Sequence, residues 1–122
     1  MIKKLLILLS LAISVYPVEV SARDLVGVGR SDGTTYYVWR DSIRTNGDIV
    51  WWTEESVRYG TGNNLEVHEV ADLSGDCRSM AGRLRRLHNK ITGKKYSKVG
   101  KLIAYPPESI GYAVLEYVCS QR

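Results

Sequence analysis

The sequence predicts an α+β chain, an antiparallel meander of short strands followed by one C-terminal helix, on three observations. Turn signals recur at short intervals between runs rich in β-branched and aromatic residues. Tyr occurs 8 times and Trp 3 times while Phe is absent, and these amphipathic rings suit strands and half-wet surfaces better than a deep enzyme core. Near the end, a proline pair opens a segment with helical spacing. A length of 122 residues accommodates one domain, and 44% hydrophobic with 25% charged residues argues against disorder, collagen and coiled coil.

The elements follow from local chemistry. Asp24 to Gly29 is a short apolar run that ends at the turn cluster Arg30-Ser31-Asp32-Gly33, and Thr34 to Trp39 completes a hairpin. Asn46-Gly47, a strong two-residue hairpin signal, stands between Ile43 and the run Asp48 to Val57. After the turn Gly60 to Asn64, Leu65, Val67 and Leu73 share one face of a fourth strand, with Glu69 intruding. Four strands before residue 74 make a meander the economical topology. From Cys77 to Ile91, Met80, Leu84, Leu87 and Ile91 fall at the helical spacings four, three and four, against which Gly82 counts by about 1 kcal/mol. Beyond Pro106-Pro107-Glu108-Ser109, Ile110, Val114, Tyr117 and Val118 lie on one face, predicting a helix over 108–120.

The first segment reads as an address. Lys3 and Lys4 precede the apolar run Leu5 to Val15, and Val20-Ser21-Ala22 supplies small residues for cleavage after Ala22. That run falls well short of the ~20 apolar residues a bilayer span needs, so residues 1–22 are expected to be a cleaved secretory signal peptide and 23–122 the exported domain, periplasmic or at the cell surface. In an oxidising compartment, Cys77 and Cys119 favour a bridge over free thiols. Closing that span contributes on the order of 4 kcal/mol on the chain-entropy model. The competing Cys/His metal or catalytic site, using His68 or His88, lacks ligand spacing.

Charge is segregated along the chain. Between Cys77 and Pro107 there is no Asp or Glu, whereas Arg78, Arg83, Arg85, Arg86, Lys90, Lys94, Lys95, Lys98 and Lys101 are all basic. Acidic residues crowd Asp41 to Asp76 instead. Such a distribution can steer an acidic partner, with Arg83, Arg85, Arg86, Lys94, Lys95 and Lys98 as the candidate binding residues; equally, it can describe two sheet edges guarded by charge against aggregation. An uncovered edge would also admit a homodimer.

No catalytic constellation stands out, and no cofactor or metal is called for. His68 and His88 could serve a ribonuclease as base and acid with arginine on phosphate, but no motif places a third residue. Ser42 and Ser109 read as turn and helix-start residues, and Gly27-x-Gly29 as a strand end. Trp39, Trp51 and Trp52 read as sheet core plus one exposed ring, with a sugar-stacking platform as the alternative.

Several of these segments, in this order, carry a resemblance. Tyr36 to Ile43, Ile49-Val50-Trp51-Trp52 after a Gly-bearing turn, Asp76-Cys77 with Gly82-Arg83-Leu84, and Pro106 to Ser109 leading to Tyr117-Val118-Cys119 make the chain similar to the surface-adhesin protein E-like family of small bacterial exported proteins. The resemblance implies a twisted antiparallel sheet of about five to six strands, with the C-terminal helix packed on it and the two cysteines bridged. It implies a strand, not a helix, from Cys77 to about Leu87. Relatives carry a Trp shortly before the proline that opens the helix; here Ala104-Tyr105 stands there, and Tyr105 is expected to pack in its stead. The family's namesake is an outer-membrane adhesin for host matrix and serum proteins. The resemblance therefore points to a non-catalytic binding module whose partner is an extracellular or envelope protein or an acidic polysaccharide, with a secreted nuclease-like enzyme or a hydrolase inhibitor as the alternative.

Overall fold

The computed structural model describes residues 24–122, so the expected signal peptide lies outside the described residues. Five strands run as an antiparallel meander: β1 (Leu25–Ser31), β2 (Thr34–Asn46), β3 (Ile49–Tyr59), β4 (Leu65–Asp76) and β5 (Ala81–Asn89). Two short strands, β6 (Lys95–Tyr96) and β7 (Ile103–Ala104), both pair with β5, and helix α1 (Ile110–Ser120) follows. The turns fall where the sequence signals them, with positive φ at Asp32 and Gly33, at Gly47, and at Gly62 and Asn63, except that the second loop is Gly47-Asp48, one residue later than Asn46-Gly47, because Asn46 still pairs with Ile49. β2 and β4 run further than expected, to Asn46 and Asp76. Ser42 lies inside β2, where the register to β3 breaks between Trp39 and Arg44; its Oγ donates to Trp39 O at 2.6 Å and accepts from Thr53 N at 2.8 Å.

The helical spacing of residues 77–91 is a false period. Cys77 to Met80 form a turn, Ala81–Asn89 is strand β5, and the strand expected from Cys77 thus begins four residues later. Asp72 pairs with Arg86 and Leu73 with Leu84, which leaves Arg85 as the extra residue of a β-bulge. One inserted residue stretches the same-face spacing from two to three, so Leu84 and Leu87 face the same side although three positions apart. Met80 sits in the turn with φ +53, and Ile91 lies beyond the strand.

The helix covers one side of the sheet. Val114, Leu115 and Val118 pack on Val38, Val50 and Trp52, with Ile110 and Tyr117 partly buried beside them. Leu115 is absent from the face predicted by spacing yet is wholly buried; it stands three residues before Val118, a row that meets the sheet at Gly75. The helix starts at Ile110, two residues later than predicted, because Ser109 is its N-cap and accepts from Tyr112 N at 3.2 Å. Tyr105 fills the expected aromatic role by lying between two glycines. A Cβ at Gly82 would fall 2.5 Å from its hydroxyl, and one at Gly111 2.8 Å from its ring. Gly82, which counts against a helix, is the flat spot that admits this ring.

Cys77 and Cys119 are bonded, with Cα atoms 5.9 Å apart, joining the β4–β5 turn to the end of α1. Arg122 adds an ion pair to Asp48 at 2.7 Å, in the β2–β3 turn. Among the described residues no helix is long and apolar enough to cross a membrane.

Candidate functional site

The side of the sheet away from α1 carries the polar chemistry. Alternation sends Trp39 of β2, Trp51, Thr53 and Glu55 of β3, and His68, Asp72 and Ser74 of β4 to this open face. Strict alternation in β5 would put Arg83 and Arg85 on one face and Arg86 on the other. The bulge at Arg85 brings all three to the open face, where they line two adjoining grooves of about 520 and 230 Å³. Trp51 lies on the floor of both grooves, Val99 closes the larger and Ile49 and Leu102 flank the smaller.

The three arginines are not equivalent. Arg86 Nε sits 2.9 Å from Asp72 Oδ2, whose other oxygen accepts from Thr53 Oγ1 at 2.7 Å. Arg85 donates to the neutral Ser74 Oγ at 3.4 Å, and among the described residues Arg83 and Arg85 form no ion pair with a carboxylate. Asp76 also lines the smaller groove, but its Oδ1 accepts the backbone N–H of Arg78 at 2.8 Å. Two guanidiniums thus face the groove without an ion-pair partner among the described residues, although the Asp76 carboxylate lines the smaller groove with them. Lys95 pairs with His88 across β5 and β6 and shares the arginines' side; Lys94 and Lys98 are exposed in the stretches on either side of β6. The structure therefore gathers Arg83, Arg85 and Arg86 at one site and leaves the lysines along its border. Ile49, Asp72, Ser74, Val99 and Leu102 were not singled out by sequence, since only strand register and the return of residues 97–102 along β5 bring them there. Gly100 N donates to Leu84 O at 2.8 Å and anchors that return.

A second cluster occupies the other end of the face. Glu55 accepts from Trp39 Nε1 at 3.0 Å and meets His68 Nε2 at 2.5 Å, beside a groove of about 340 Å³ walled by Leu25, Tyr37, Val57, Tyr59 and Leu65. Register places His88 opposite Val70, with Val70 in turn opposite Glu55, so both histidines lie on the open face with Val70 between Glu55 and His88. Desolvation first, then Lys90 and Lys95, push the His88 pKa down. The tryptophans divide into one core ring, Trp52, and two half-buried rings on the open face. The acidic strands β3 and β4 are interior to the sheet, which corrects the acidic half of the two-edge reading, while the basic β6 with Lys95 does lie at an edge. Both cysteines are consumed by the bridge.

Comparison with known proteins returns no matching family model, no matching curated protein and no matching solved structure.

Proposed function

We propose that the chain is an exported, non-catalytic binding module of the surface-adhesin E-like kind, which holds an anionic partner on its open face. The observation that carries this reading is the pair Arg83 and Arg85 on the open face of β5, without an ion-pair carboxylate among the described residues and set beside the half-buried ring of Trp51. Guanidiniums left without an internal carboxylate are available for charge-assisted, bidentate bonds to carboxylate, sulfate or phosphate. An acidic polysaccharide or the acidic face of an extracellular or envelope protein has that chemistry, and its capture weakens steeply with salt. The test is retention on heparin across a salt gradient. Replacing Arg83 and Arg85 by Ala is expected to weaken retention by about tenfold, while Arg30→Ala on the far strand β1 leaves it unchanged. Equal retention of both variants overturns the reading.

A second reading, a nuclease-like enzyme, has one observation in its favour: His68, bonded to Glu55, shares a face with His88 and the arginines. The lowered pKa of His88 weighs against its serving as an acid. RNA cleavage lost in His68→Ala would support this reading.

A further inference from the structure

The arm that follows β5 is unusual in what it exposes. Among the described residues, Ile91, Tyr96, Val99, Leu102 and Ile103 all stand 45–59% exposed, and they alternate with exposed Lys90, Lys94, Lys95, Lys98 and Lys101. No acidic residue interrupts the segment. A soluble polyanion has no use for protruding aliphatic side chains, whereas interleaved cations and apolar groups match the boundary between headgroups and acyl chains. Two of these apolar residues, Val99 at 45% and Leu102 at 49%, project at the same grooves as Arg83, Arg85 and Arg86, beside Ile49 at 38%.

We propose that this face docks on an anionic lipid surface, with Arg83 and Arg85 receiving headgroup phosphates while Val99 and Leu102 enter the acyl boundary. The inference rests on the reading of the arginine face as an anion site and narrows its partner to a bilayer. Cations outnumber carboxylates over the footprint, with Asp72 and Asp76 set against Arg83, Arg85 and Arg86. The carboxylate of Asp72 is occupied by Arg86 and Thr53, Asp76 Oδ1 is occupied by the Arg78 backbone, and further positive charge comes from exposed Lys95, opposite His88, and from exposed Lys98 and Lys101, next in the chain to Val99 and Leu102. Each cation near an anionic membrane strengthens attachment, and each aliphatic group that leaves water adds to it without regard to salt.

The experiment is vesicle co-sedimentation of residues 23–122, which carry all the described secondary structure and the disulfide, compared with retention on heparin. Vesicles are phosphatidylcholine alone, or phosphatidylcholine with about a third of phosphatidylglycerol. The parent is expected to sediment with the anionic vesicles and not with the neutral ones. The pair Val99→Ser and Leu102→Ser is expected to cut vesicle binding about tenfold while heparin retention holds; both sites are exposed, and an unchanged melting midpoint verifies the fold. The pair Arg83→Ala and Arg85→Ala is expected to weaken both about tenfold. Heparin retention without vesicle binding, or vesicle binding indifferent to Val99 and Leu102, overturns the lipid inference and leaves a soluble polyanion or an acidic protein as partner. Indifference of heparin retention to the arginine pair overturns the anion-site reading itself.

Discussion

Glu54 shows how a single residue can set a pH dependence. It projects from β3 toward the helix side, and burial pushes its carboxyl above the ordinary value of 4.5, only partly opposed by the indole N–H of Trp52 at 3.0 Å. The nearby phenols of Tyr36 and Tyr105 are pushed up as well, by their own burial and then by the charge of Glu54. The fold prefers the neutral acid. Its contribution is therefore complete below the unfolded carboxyl's pKa, falls as pH rises through the window up to the raised folded value, and stays low beyond. Glu54→Gln keeps an acceptor for Trp52 and abolishes the charge. It is expected to raise the melting midpoint at neutral pH and to give no gain in acid, as a pair of thermal scans would check; a gain equal at both pH values would refute the account.

At the scale of elements, the β5 bulge decides both packing and site. Deleting Arg85 restores alternation, with Leu84 and Leu87 still inward and Arg86 still outward. The deletion is expected to cost no more than about 1–2 kcal/mol. Deleting Asp72 from the stretch of β4 that pairs with β3 without interruption, Val67 to Asp76, reverses half a strand and is expected to prevent folding, which urea midpoints of the two variants would compare. The same bulge explains what could and could not be read in advance. Hairpins were legible because Asp32-Gly33 and Gly47 state a backbone conformation locally. The C-terminal helix was legible because prolines and a capping serine mark its start. Leu84 and Leu87, by contrast, mimic a helix because an inserted residue shifts phase, and within the strand only Gly82 speaks against that reading. Of the site, the basic residues were legible as a run. Which of them take a carboxylate partner was not, because the partner Asp72 is assigned by register across β4 and β5.

At the scale of the molecule, the disulfide joins the sheet to the helix that covers it. Reduction is expected to lower stability by on the order of 4 kcal/mol, seen as a shift in the urea midpoint with and without reductant. A shift near zero would mean that core packing and the Arg122–Asp48 pair alone hold α1 in place. The position of the bridge also bears on mechanics. Tension applied between the two ends of the domain would pass from Cys119 straight to Cys77, bypassing β5, the basic arm and most of α1. A separation of 42 residues corresponds to about 140 Å of chain that could not be drawn out. A domain under load could thus lose strands from its N-terminal side while the segment bearing Arg83, Arg85, Val99 and Leu102 stayed inside a covalent ring, shielded from the pull.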